Sequence, residues 1–282
     1  MKRATLILTI LLISVSCLAQ EATTVPLEQA TQDSLKLCSP FSSFAEAENA
    51  LRSAQIVDSK ELGTGVTNPI KLYLKTDTKE FKAVFKSIND KRFGITSMQK
   101  GAEVDFKDSW MYEIVAYELD KLLGLNMVPP TVERSFNQKK GSVQLWVENA
   151  MTEKERKSKH MEPPNVESWN NQLYQVRLFD NLIYNIDRNI GNLLIDNDWK
   201  VYMIDHSRSF KSIKILQNAD KLSKFSKTTM EALDKLSEEK IKLCCSNYLS
   251  GPEIRTLLVR RDMLLQRYHE LLATKGDSIY LP

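Results

Sequence analysis

An apolar strand that ends on a carboxylate is an expensive arrangement, and this chain has one. Val201-Tyr-Met-Ile runs directly into Asp205 and His206. An acid at that place needs a cation partner, because a charge withdrawn from water without one is strongly disfavoured. Just upstream, Asp187-Arg-Asn-Ile-Gly-Asn192 opens a predicted hairpin, Asn192-Leu-Leu-Ile-Asp followed by Lys200-Val-Tyr-Met-Ile-Asp205. An asparagine carbonyl and a carboxylate across a hairpin suit a hard cation such as Mg2+ or Mn2+, so Asn192 and Asp205 are the candidate metal ligands. Asp187 is the candidate to orient an attacking hydroxyl and accept its proton, with Arg188 supporting the loop. The plainer reading is that Asp187 and Asn192 form turns and Asp205 ends a strand.

Earlier features occur in an order that serves phosphoryl transfer. Gly63-Thr-Gly65-Val-Thr67 lies between two strands, where glycines let backbone N–H groups approach phosphate oxygens; an ordinary hairpin turn is the alternative. Lys86 closes the strand Ala83-Val-Phe-Lys and can neutralise phosphates, or else be a surface lysine like Lys79, Lys82 and Lys91. An acid on the following helix would hold that lysine. Helical periodicity places Glu118 among Met111, Ile114, Val115 and Leu122, and Glu113 beside Tyr117 and Asp120, so it favours Glu118 as the buried acid without settling the partner.

The secondary-structure signals predict an α+β chain. A short helix over Phe44 to Ser53 precedes strands at Lys60, Lys71–Lys75 and Glu80–Lys86. A helix capped by Asp108 or Ser109 runs to Leu123, Gly124 stops it, and Val128-Pro-Pro130 leaves extended into strands near Thr131 to Arg134 and Ser142 to Glu148. Residues 152 to 167 are charged and read as a surface loop. A helix from Trp169 to Asn185, the hairpin, and further helices through Ala273 complete the chain. The expected division is 1–19 signal peptide, 20–43 polar leader, 44–150 small β-rich N-lobe and 151–282 mainly helical C-lobe.

Lys2 and Arg3 precede an apolar run from Leu6 to Leu12 and then small residues to Ala19, the order of a secretory signal peptide. That run is shorter than the roughly 20 residues of a membrane span, so export with cleavage is expected rather than a permanent transmembrane anchor. Cys17 offers a degenerate lipoprotein site. Cleavage removes two cations and no acids from a chain of formal charge +3. The nearly neutral remainder has no basic stripe for nucleic acid. Cys38 can bridge to Cys244 or Cys245 in an oxidising compartment, or the pair can be thiols on a C-terminal helix. His160, His206 and His269 lack zinc-ligand spacing.

The Asp187-Arg…Asn192…Ile204-Asp205-His206 pattern resembles the atypical kinase group that includes phosphoinositide kinases, HipA-like kinases and the secretory-pathway Golgi casein kinases. Glu113-Ile-Val-Ala-Tyr-Glu-Leu-Asp120-Lys-Leu-Leu and Val128-Pro-Pro130 are most similar to the Golgi type. The resemblance implies a two-lobed protein-kinase-like fold with ATP in the cleft. It implies phosphate contacts from Gly63, Gly65, Thr67 and Lys86, and a hinge at Trp146, Val147 and Glu148. It gives Glu113 the lysine-pairing or metal role, with Glu118 in reserve. The chain departs from the Golgi type at Asn192, where those enzymes carry an acid and phosphoinositide kinases an asparagine. The acceptor can therefore be a protein, glycan or lipid hydroxyl. Nucleotide binding without transfer, or nucleotidyl transfer on the same fold, are the rival functions.

Overall fold

The computed structural model describes residues 40–63, 68–98 and 101–282. The expected signal peptide and polar leader up to residue 39, with Cys17 and Cys38, and Gly65 and Thr67 lie outside them. The first element, α1 (Phe44–Ser53), begins where the Ser43 hydroxyl accepts from the Glu46 N–H. Strands β1 (Gln55–Glu61), β2 (Ile70–Lys75) and β3 (Glu80–Lys86) follow as antiparallel neighbours. Next come a hairpin of β4 (Asn89–Met98) and β5 (Gly101–Ser109) and the helix α2 (Met111–Leu123). Strands β6 (Thr131–Phe136) and β7 (Lys139–Leu145) then complete a five-stranded sheet in the order β1-β2-β3-β7-β6.

Side chains alternate across this sheet. Leu72, Leu74, Phe81, Ala83 and Phe85 pack against Ala47 and Leu51 of α1 and close one core. Lys82, Val84 and Lys86 take the opposite face, and Lys71 lies on it directly across from Val84.

The second half consists of β8 (Met151–Thr152), α3 (Glu153–Ser158), α4 (Val166–Ile183), β9 (Leu193–Ile195), β10 (Val201–Met203), α5 (Lys227–Asp234), α6 (Glu238–Cys245) and α7 (Gly251–Lys275). Its small sheet has the order β10-β9-β8. The larger core gathers Phe179, Leu182, Met203, Leu257 and Leu264 around Tyr112, Val115, Ala116 and Leu119 of α2. So α2 is built between strands of the first half yet buries one face in the second. Among the described residues no helix is long and apolar enough to cross a membrane.

Several boundaries differ from the sequence reading. The first strand starts at Gln55 and α4 at Val166. Residues 153–158 are helical rather than loop, because Thr152 and Glu155 form a capping box. Asp108 and Ser109 end β5 rather than standing at the N-cap of α2: the Ser109 N–H donates to the Ser207 carbonyl at 2.9 Å, while its hydroxyl accepts a long bond from the Met111 N–H at 3.4 Å. The helix instead starts after Trp110, with no side-chain cap.

Candidate functional site

Lys86 lies at the end of β3, on the face away from α1. Its ammonium stands 2.6 Å from Glu113 Oε1 and 2.7 Å from Asp205 Oδ1. Burial opposes the charge on Lys86, but the two carboxylates outweigh it and hold its pKa above the ordinary lysine value. Glu113, in the first turn of α2, is 1% exposed. Burial would raise its pKa, yet Lys86 and His206 together keep the carboxyl well below the usual range. Its Oε2 accepts from the His206 backbone N–H at 3.0 Å and lies 3.3 Å from His206 Nδ1. One lysine thus ties the sheet, α2 and the carboxylate after β10 together. Glu118 is elsewhere, 3.2 Å from Lys121.

The turn before β9 is sewn to Asp205 by Arg188. Its guanidinium grips the Asp180 carboxylate of α4 and donates to the carbonyls of Asn192 at 2.9 Å and Ile204 at 2.7 Å. The Ile204 N–H returns a bond to the Asn192 carbonyl. Asn192 donates through Nδ2 to the Asp187 carbonyl at 3.1 Å. The Asp187 side chain is exposed. Its backbone N–H is fixed by Asn185 Oδ1 at 3.1 Å, so the residue is held while its carboxylate stays accessible.

The donor set suits a hard cation. No described group donates to Asp205 Oδ2 or Asn192 Oδ1, and both are oxygens. Among the described residues, no three or more His, Cys, Asp or Glu side chains form a metal-holding group on their own.

At the far end of β3 the proposed hinge continues the ladder, with the Trp146 N–H donating to the Lys82 carbonyl at 3.0 Å. Val147 is buried. Lys71 Nζ lies 3.7 Å from the Trp146 ring centroid, and Lys82 pairs with Glu148 at 3.0 Å. Burial and neighbouring Lys82 lower the Lys71 pKa. Gly63 has φ +62°, the left-handed region glycine tolerates, and lies beside the closing Leu62–Pro69 hydrogen bond.

Sequence reasoning missed four parts of this centre. Asp180 and His206 are buried partners of Arg188 and Glu113. Asp108 is 4% exposed with Oδ1 unpaired, and burial raises its pKa although Ser207 opposes this. The β4–β5 hairpin carries Glu103, which pairs with Arg208 and Lys211. For the hairpin a signal existed in the alternation Val104-Asp-Phe106 after Gly101. Cys244 and Cys245 end α6 as free thiols with sulfurs 3.2 Å apart.

No family model and no curated protein matches the sequence. Solved structures do match. Hydra Fam20, determined with a sugar, superposes with a TM-score of 0.66 at 16% identity, covering 90% of this chain and 97% of its own. The fold is kinase-like. The Golgi casein kinase matches at TM-score 0.65 and 15% identity over 87% of this chain and 79% of that one. The same kinase with Mn and ADP bound gives 0.63 and 16% over 87% and 80%. Within this kinase-like fold the five-stranded sheet belongs to the N-terminal part and most of the helices to the C-terminal part. Identity this low carries the fold alone, so the chemistry has to be argued from the side chains.

Proposed function

We propose that the chain is an exported ATP-dependent phosphotransferase that moves the γ-phosphate to a hydroxyl, with protein Ser or Thr as the acceptor. The observation that carries this reading is Lys86 held between Glu113 and Asp205, with an exposed Asp187 on the loop that Asn192 and Arg188 tie to the Asp205 segment. In this reading Lys86 neutralises the α- and β-phosphates and Glu113 fixes its position. Gly63, Gly65 and Thr67 cover the phosphates, and Trp146, Val147 and Glu148 border the base. Asp205 and Asn192 hold Mg2+ or Mn2+, which when bound offsets charge on the phosphate oxygens. Asp187 orients the acceptor hydroxyl and accepts its proton, and Arg188 keeps Asp187, Asn192 and Asp205 in one frame.

Export is supported by the order Lys2-Arg3, apolar run, Ala19. The neighbour with Mn and ADP supports nucleotide and metal use, and its designation as a casein kinase supports a protein acceptor. A glycan hydroxyl is the second reading, favoured by the sugar in the hydra Fam20 structure.

The test uses ATP labelled at the α- or γ-position, with Mg2+ or Mn2+, and casein or a glycan as acceptor. Wild type is expected to transfer label from γ, and Asp205→Ala to lose about 10²-fold or more of that rate. Label from α would mean nucleotidyl transfer. No label with wild type, or undiminished label with Asp205→Ala, would defeat the kinase reading, and a thermal shift with ATP would then identify a binding module.

A further inference from the structure

The loop that follows Asp205 is held in a shape it would not keep by itself. Asp205 and Phe210 have φ +62° and +60°, which non-glycine residues retain only where their surroundings over-determine them. From the C-terminal half, the Phe210 N–H donates to the Ile183 carbonyl at 2.7 Å, and Arg260 donates to the Lys211 carbonyl at 3.0 Å. From the other half, β5 runs along the loop. At one end the Ser109 N–H donates to the Ser207 carbonyl, and in the middle the Arg208 guanidinium lies 4.8 Å from the Phe106 ring centroid. At the far end the Glu103 carboxylate pairs with both Arg208 and Lys211.

This last contact is more than a surface ion pair. The Lys211 side chain is 6% exposed, and without Glu103 it would be a buried cation close to a second one on Arg208. The hairpin that presents Glu103 is itself anchored. Lys107 Nζ and the Tyr112 hydroxyl each donate to Glu253 Oε1 at 2.6 Å, in the first turn of α7. A hairpin fixed at its base can therefore hold the loop at its tip.

We propose that Glu103 is a positioning residue for Asp205. By pairing Arg208 and Lys211 it holds the loop that offers the Asp205 carboxylate to a metal-bound nucleotide, a consequence that rests on the phosphotransferase reading. Glu103 touches none of the reacting groups and acts through the two cations.

The test compares full-chain wild type, E103A, E103D and the double variant R208Q/K211Q. Hydrogen exchange across residues 205–211 without ligand reads the loop directly. Titration of Mn2+ in the presence of ADP, followed by calorimetry, reads the metal site, and γ-label transfer reads turnover. E103A is expected to exchange about tenfold faster in this loop and to need about tenfold more Mn2+, with little change elsewhere. R208Q/K211Q should reproduce both effects, and E103D should recover most of the metal affinity. If E103A does not fold, the double variant decides by the same readings. Wild-type exchange and wild-type Mn2+ affinity in a folded variant would overturn the proposal, as would faster turnover, which would make Glu103 a restraint. If wild type neither binds Mn2+ with ADP nor transfers label, the phosphotransferase reading fails; unchanged exchange in E103A would then refute the loop-holding role separately, and accelerated exchange would support it.

Discussion

Glu113 and Glu118 lie on the same helix and differ in everything that determines their roles. Glu113 is enclosed and answers Lys86 and His206, whereas Glu118 makes a partly exposed pair with Lys121. Removing one partner of a buried pair typically costs about 3–5 kcal/mol. Asp205 still partners Lys86 when Glu113 is gone, so Glu113→Ala is expected at the lower end, about 3 kcal/mol in urea unfolding. Glu118→Ala is expected within about 1 kcal/mol, as for exposed pairs. Equal losses would mean that Lys86 does not depend on Glu113. Helical periodicity favoured Glu118 as the buried acid because it assumes one apolar stripe facing one core. Here α2 is covered on several sides, so Tyr112, Val115, Ala116 and Leu119 are buried while Leu122 is exposed.

At the scale of elements, β3 owes its end position to a glycine on the neighbouring strand. A Cβ on Gly141 of β7 would stand 2.2 Å from the Lys86 carbonyl oxygen and 2.5 Å from the Phe85 ring. Neither the backbone nor the packed ring can withdraw cheaply. Gly141→Ala is therefore expected to destabilise by about 1–3 kcal/mol through overpacking and to shift the end of β3 that carries Lys86. Unfolding with wild-type stability and unchanged nucleotide-induced thermal shift would show that the strands can separate without cost. The pairing of β2 with β3 and of β9 with β10 was readable from alternation. The β4–β5 hairpin left only the short alternation Val104-Asp-Phe106, set among charged residues, and its placement depends on the loop it meets. Helix α3 was overlooked because a short charged helix has no stripe, although its Thr152–Glu155 capping box was visible in sequence.

At the scale of the molecule, α2 joins the two halves, and it carries a titratable group into the shared core. Asp120 is fully buried, and its carboxylate accepts from the Met127 N–H at 3.0 and 3.2 Å. Burial raises its pKa to about 7, against the pull of the backbone donors at Asn126, Met127 and Val128. A carboxyl raised in the folded state binds a proton that the unfolded chain, with its pKa near 4, has already released. Its contribution therefore falls as pH rises from about 4 to about 7 and is level above that. Asp120→Asn, which keeps an acceptor for Met127, is expected to flatten this slope in urea unfolding curves taken across that window. An unaltered slope would mean Asp120 is ionised throughout. Arg260 makes a comparable long-range tie. Fully buried on α7, it donates to the carbonyls of Leu182, Lys211 and Ile213, and burial lowers its pKa to about 10.

The sequence by itself determined the α+β class, most strands and helices, and the order Gly63, Lys86, acidic helix, Asp187, Asn192, Asp205. Alternation, capping and the placement of charge are local properties that neighbouring residues specify. It also implied that Asp205 required a cation, because the cost of an unpaired acid after an apolar strand does not depend on the rest of the fold. The tertiary structure alone decided that the cation beside Asp205 is Lys86; that Glu113 pairs with this lysine was implied by the family resemblance and not by helical periodicity. It alone decided that Asp180 holds Arg188 and that Glu103 meets Arg208 and Lys211. These are contacts between distant segments, and whether a side chain is buried depends on what packs over its face, which periodicity within one helix or strand does not contain.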